Sequence, residues 1–128
     1  MSAAAESRAR ELLRSFVSAE DFRAYEQLGF ISVPGRGDEA SGYAYVVYPY
    51  RPLVAYETAT GRLLSELCVR FDDGERRLPA ADDVLAKWIA IHGRERELAA
   101  SAKIDPPGHQ VDPQQARRDL ARLHELSG

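Results

Sequence analysis

His92 and Glu95 lie three residues apart in a segment with helical periodicity, so a helix brings their side chains to neighbouring positions on one face. A histidine and a carboxylate placed in this way can form part of a metal site, or a general base with its orienting acid. A metal needs at least one more protein ligand, and no residue adjacent in sequence supplies it. Alternatively, the two side chains satisfy each other or reach solvent past Gly93. We treat His92 and Glu95 as catalytic candidates and predict neither a metal nor a cofactor.

Cys68 is the single cysteine of the chain. With His92 as its base it would be a nucleophile, because a thiol needs a neighbouring group that lowers its pKa. No local motif accompanies it, and a small buried hydrophobic residue is the alternative interpretation. One cysteine forms no internal disulfide, and the first residues lack the basic start and apolar stretch of a signal peptide. These features predict a cytoplasmic protein.

Tyrosine is concentrated in one stretch, because five of the six tyrosines fall between Tyr43 and Tyr56. Tyrosine and arginine are favoured at protein interfaces, and aromatic rings on a sheet can also stack on unpaired bases. The alternative is that these rings line the core and a hairpin, with their hydroxyl groups reaching water. The predicted binding residues are Tyr43, Tyr45, Tyr48, Arg51 and Arg62.

Composition excludes several classes of protein. The 128 residues carry a net charge of -3, and the basic residues are not concentrated in any segment, which argues against binding of duplex nucleic acid. No apolar run approaches the roughly 18 to 20 residues that span a bilayer. Arginine outnumbers lysine by 15 to 2, which is typical of GC-rich bacterial genomes. We expect a bacterial protein that does not enter a membrane.

Local patterns predict an α+β fold with N-terminal helices, an antiparallel β-meander of about four strands, a long packing helix and a short C-terminal helix. N-cap residues Ser18 and Asp112 mark two helix starts, and Gly29 marks a helix end. The glycine-rich segment 34–42 is followed by a strand, which favours a mobile hairpin connection over a phosphate-binding loop. The predicted segments are helices from about Ala4 to Phe16, Ser18 to Gly29, Pro79 to about Lys103 and after Asp112, and strands Phe30–Val33, Tyr43–Tyr48, Leu53–Thr58 and Leu63–Phe71, with turns at Ala59–Arg62 and Asp72–Glu75.

These elements suggest one α+β domain over residues 1–104 and a linker with an amphipathic helix over 105–128. We expect the helices to pack mainly on one face of the sheet, leaving the other partly exposed to water. The long helix is expected to be continuous or to divide near Gly93. The terminal helix is too short to be stable alone, so it packs on its own domain, on a second copy or on a partner.

The favoured function is a small non-catalytic interaction or regulatory module that binds a protein partner or itself, as a possible homodimer, through the tyrosine-rich sheet. One alternative is a single-stranded nucleic-acid-binding protein. Another is a small metal-assisted or general-base enzyme that uses His92 and Glu95, and this hypothesis requires a third ligand or a pocket around the pair.

Overall fold

Helices occupy both ends of the chain and a sheet occupies its middle, in a computed structural model that describes residues 2–71 and 77–127. This arrangement confirms the predicted α+β class and the predicted order of its parts. The elements are α1 Ala3–Phe16, α2 Ala19–Leu28, β1 Ile31–Pro34, β2 Tyr43–Val47, β3 Leu53–Glu57, β4 Leu63–Cys68, α3 Ala80–Ser101, β5 Lys103–Asp105 and α4 Pro113–Ser127, with two short 3-10 turns, Gly35–Gly37 and Glu39–Ser41, between β1 and β2.

Side-chain caps define the helix ends that the sequence predicts. The Asp21 N–H donates to Ser18 Oγ (3.1 Å) at the start of α2, and the Gln114 N–H donates to Asp112 Oδ1 (3.0 Å) at the start of α4. Gly29 ends α2 with φ at +87°, a conformation that glycine adopts without steric cost. These bonds are local, so residue type and spacing were enough to predict them.

The sheet has the strand order β1-β2-β3-β4-β5, and every neighbouring pair is antiparallel. Strand β5 is a difference from the prediction, because Lys103–Asp105 pairs with Cys68, Leu67 and Glu66 of β4. Three residues are too few to show a strand pattern in sequence, and the pairing with β4 produces the strand. The boundary predicted between residues 104 and 105 falls inside β5. The turn predicted at residues 72–75 lies outside the described residues.

Helix α3 is bent rather than straight. Arg94 has φ of -145° and ψ of 34°, outside the helical region, and it directly follows Gly93. A break of this kind is one of the two outcomes that the sequence left open. The bend separates an N-terminal arm, which crosses the sheet, from a C-terminal arm that carries Glu95 and Leu98.

Apolar side chains are buried on both faces of the sheet, in two clusters. On the front face, α1, α2 and α3 cover the strands, with Leu13, Tyr25, Val84 and Ile91 packed on Ile31, Val33, Tyr45, Val47, Leu53, Ala55 and Leu67. On the back face, Val111, two residues before α4, and Ala116 and Leu120 of α4 cover Val46, Tyr48 and Val54. The expectation of a partly wet second face was therefore wrong for this region. The sequence signal was the run Tyr43–Val47, which does not alternate between apolar and charged residues, as is typical of a strand covered on both sides; Ala44 to Val47 are all buried.

No helix among residues 2–71 and 77–127 is long and apolar enough to cross a bilayer.

Candidate functional site

The Glu95 carboxylate holds the loop between β1 and β2 against the bent part of α3 through hydrogen bonds. Its Oε1 accepts a hydrogen bond from the Arg36 N–H (2.6 Å), and its Oε2 accepts from the hydroxyl groups of Tyr43 and Tyr45 (2.7 Å each). Segment 34–42 is thus held in two turns, with Arg36 at a φ of +61°. The carboxylate contacts three donors, and none of them is His92.

The His92 ring is directed elsewhere. It is exposed, it stacks on Trp88 with 3.9 Å between ring centroids, and its Nδ1 lies 3.0 Å from the Trp88 carbonyl oxygen. Within the described part of the chain, no group of three His, Cys, Asp or Glu residues is placed to hold a metal ion. The third ligand on which the metal hypothesis depends is therefore not found among those residues.

The predicted tyrosine surface is not assembled as one surface. Tyr45 and Tyr48 are each 5% exposed and lie on opposite faces of the sheet, while Tyr43 is half-buried beside Tyr45. Burial, with help from Glu95, raises the pKa of Tyr45. On the back face the Tyr48 hydroxyl donates to Asp119 Oδ2 of α4 (2.6 Å). Burial is the main cause of the raised pKa of Tyr48, and the Asp119 carboxylate raises it further. These rings link helices to the sheet from within the core.

The two predicted binding arginines have different surroundings. Arg51 lies over the Tyr48 ring, with its guanidinium carbon 5.8 Å from the ring centroid. Arg62 keeps 69% of its side chain exposed and forms a long ion pair with Glu57 (3.8 Å). Arg62 lines the groove described below, whereas Arg51 does not.

A buried ion pair holds the turn between β2 and β3. Lys87 is 1% exposed, and its ammonium group donates to Asp83 Oδ2 (2.6 Å) and to the carbonyl oxygens of Tyr48 (2.8 Å) and Arg51 (2.9 Å). The same Asp83 oxygen accepts the N–H of Tyr50 (2.8 Å), a residue with φ of +66°. Burial lowers the pKa of Lys87, although Asp83 opposes this effect. Each ammonium hydrogen has an acceptor, so we assign Lys87 a structural role.

A groove of about 1390 Å³ opens on the back of the sheet, in the part that α4 leaves uncovered. Strand residues Ser32, Ala44, Tyr56 and Leu63 form its floor, where the hydroxyl oxygens of Ser32 and Tyr56 lie 2.6 Å apart and share a hydrogen bond. One side of α4 forms a wall, with lining residues at spacings of three and four: Pro113, Arg117, Leu120, Ala121, His124 and Ser127. Helix α2 and the β3–β4 hairpin contribute the remaining walls.

The groove has a mixed polar and apolar lining and carries both signs of charge. Arg23, Arg62, Arg117 and His124 line it, and so do Glu20, Asp21 and Glu39. Burial raises the pKa of Asp21, and the charges of Glu20 and Glu39 add to this rise, whereas the Ser18 hydroxyl and His92 oppose it. Hydroxyl-bearing residues and apolar residues make up the rest of the lining: Ser18, Ser32, Tyr56, Thr58, Thr60 and Ser127, and Ala24, Pro34, Pro107, Leu123 and Leu126 among others.

Of the residues proposed from sequence, Arg62 lies in this groove. The remaining lining residues were not anticipated, because the groove forms where α4 crosses the back of the sheet. The repeat of Arg117, Ala121 and His124 on the side of α4 next to its apolar stripe was the available signal. Comparison of the chain with protein-family models, curated proteins and solved structures gives no match.

Proposed function

We propose that this protein is a non-catalytic binding module whose ligand is a segment of a protein partner, held in the groove on the back of the sheet. The observation that carries the proposal is the groove itself: an open trough with a floor of strand residues, lined by apolar side chains, hydroxyl groups and charges of both signs. This keeps the class of function that the sequence favoured and moves its site from the buried tyrosines to the back of the sheet.

The size of the groove supports a polymeric ligand over a small molecule. Sites for small molecules commonly have volumes of roughly 300 to 1,000 Å³ and enclose most of the ligand. Here the volume is about 1390 Å³ and the site is partly open to solvent. A short stretch of polypeptide fills such a trough and leaves part of its own surface in water.

The charges of the lining support a protein over a nucleic acid. Glu20, Asp21 and Glu39 line the groove and would repel phosphate groups, whose neutralisation by basic residues provides most of nucleic-acid affinity. A polypeptide carries side chains of both signs and can pair with both sets of residues. The single cysteine suits a reducing compartment, and we propose that the partner is met in the cytoplasm.

Ala121 gives a direct test, because it is exposed, lies in α4 and lines the groove. Ala121→Trp fills the trough without entering the core. The matched control is Ala100→Trp, at an exposed alanine of α3 that does not line the groove. Both variants and the unmodified protein are tagged and used for affinity capture from a lysate of the source organism, with captured proteins quantified by mass spectrometry.

We expect Ala121→Trp to lose at least about tenfold of a specific partner, which corresponds to about 1.4 kcal/mol. Ala100→Trp should capture as much partner as the unmodified protein. Equal capture by all three proteins, or recovery of nucleic acid in place of protein, contradicts the proposal.

A further inference from the structure

Opposite charges occupy different ends of the groove. Arg62 directly precedes β4, and Leu63 of that strand lies on the floor. Arg117 lies in the second turn of α4, and the loop leading into α4 is held by the carboxylate of Glu66 in β4. The two guanidinium groups therefore belong to the β4 end of the groove.

The carboxylates belong to the β1 end. Glu20 and Asp21 lie in the first turn of α2, which packs against β1, and β1 is the edge strand on the far side of the sheet from β4. Glu39 lies in the connection that follows β1. Arg23 is the basic residue of α2 at this end, and α4, which carries His124 in its last turn, also contacts α2. Three carboxylates therefore lie at this end with one guanidinium and one imidazole.

We propose that the groove selects an extended polypeptide segment with acidic side chains toward Arg62 and Arg117 and a basic side chain toward Glu20, Asp21 and Glu39. This inference rests on the proposed function and specifies the chemistry of its partner. Complementary charges fix the register and direction of a bound segment and exclude segments of one sign.

The geometry of the sheet sets the spacing of the charges in the partner. From β4 to β1 there are three strand intervals, or about 14 Å at the usual strand spacing, and α2 lies up to about 10 Å farther. An extended chain advances about 3.3 Å per residue, so the acidic and basic residues of the partner are separated by about four to seven positions.

Asp21 provides a reason for a cation at the β1 end. Its carboxylate is partly removed from water, and the negative charges of Glu20 and Glu39 raise its pKa further, whereas the Ser18 hydroxyl and the charge of His92 lower it. Desolvation raises its pKa, which means that the charged form lacks a fully compensating partner. A lysine or arginine from a bound segment supplies that compensation.

The first test is selection of random peptides of about twelve residues, long enough to contain the expected spacing, displayed on phage. The full chain is the target, and Ala121→Trp is the counter-target. We expect the peptides that depend on the open groove to carry acidic and basic residues about four to seven positions apart. Groove-dependent peptides without this pairing, or no groove-dependent peptide at all, would overturn the inference. The proposed function is judged separately, by the dependence of partner capture on Ala121.

The second test is a charge exchange. Arg117→Glu should weaken a selected peptide about threefold to tenfold, the usual effect of losing a rim ion pair. Replacing the acidic residues of the peptide by lysine should restore binding to this variant.

Arg118→Glu is the control, because Arg118 is the exposed neighbour in α4 and does not line the groove. Its guanidinium donates to Gln115 Oε1 (3.0 Å) and not into the groove, so the substitution should change affinity less than twofold. Equal effects of the two substitutions, or no restoration by the exchanged peptide, would refute the assigned charge order. Both positions are exposed, and circular dichroism checks that each variant is folded.

Discussion

Glu66 is the residue whose removal we expect to loosen the back of the protein most selectively. Its carboxylate is 2% exposed, and it accepts hydrogen bonds from the N–H groups of Gly108 (3.1 Å), Gln110 (2.9 Å) and Val111 (3.1 Å). These bonds hold the loop between β5 and α4 over β4. Glu66→Ala leaves three backbone donors without the acceptor that now satisfies them.

The burial of each donor sets the expected loss of stability. Val111 is buried, so its N–H keeps a desolvation penalty of about 1 to 3 kcal/mol when its acceptor is removed. Gly108 and Gln110 are exposed residues whose N–H groups can turn to water, so each contributes only about 0.5 kcal/mol. The sum predicts a decrease of about 2 to 4 kcal/mol in the free energy of unfolding. At a urea dependence of about 2 kcal/mol per molar, the middle of the usual range, the midpoint falls by about 1 to 2 M.

Urea denaturation followed by circular dichroism measures the loss, and amide hydrogen exchange locates it. We expect exchange in Glu66→Ala to accelerate first at residues 108–111 and in α4. Glu66→Gln keeps one carbonyl oxygen and should lose only about 1 kcal/mol. Glu125→Ala, at an exposed glutamate of α4, should change stability by less than about 0.5 kcal/mol. A loss below about 1 kcal/mol in Glu66→Ala, or unchanged exchange at residues 108–111, would refute the reasoning.

Two further predictions concern stability at high pH and the packing of glycines. The raised pKa of Tyr48 keeps its proton on in the folded protein after the tyrosines of the unfolded chain ionise near pH 10. The resulting stability is present below about pH 10 and decreases above it, and urea titrations should show a smaller decrease in Tyr48→Phe. Gly35→Ala places a Cβ atom 2.1 Å from the Tyr43 ring and should cost about 1 to 3 kcal/mol in urea denaturation. Gly93→Ala, with no atom within 4 Å of the added carbon, should instead gain about 0.5 to 1 kcal/mol; equal effects at the two glycines would contradict this account.

Features held by local bonds could be predicted from the sequence. Ser18 and Asp112 cap helices through donors two or three residues away, and Gly29 and Gly61 adopt positive φ within their own turns. Such interactions depend on residue type and short spacing. For this reason the order of elements and most of their limits were predicted correctly.

Features held by distant partners could not be predicted in the same way. Glu66 meets donors more than 40 residues away, and Tyr48 meets Asp119 at a separation of 71 residues. In the sequence, Glu66 has no feature that distinguishes it from a glutamate on the surface, because its donors are distant. The same holds for Lys87, two of whose three acceptors are also contributed by distant residues. The groove has this origin too, since it exists only where α4 crosses the sheet.

Because β5 and α4 follow all the other elements in the chain, they are translated after the strands that they pair with and cover. When a growing chain has emerged as far as Ser101, α1, α2 and α3 are available to cover the front of the sheet, but Val46, Tyr48 and Val54 on the back lack the cover of Val111 and α4. Residues 103–127 take roughly one to five seconds to translate at about 5 to 20 residues per second. During that interval the nascent protein exposes an apolar sheet face to chaperones and to other chains, and a cut near Pro107 would recreate the same exposed surface in the finished molecule.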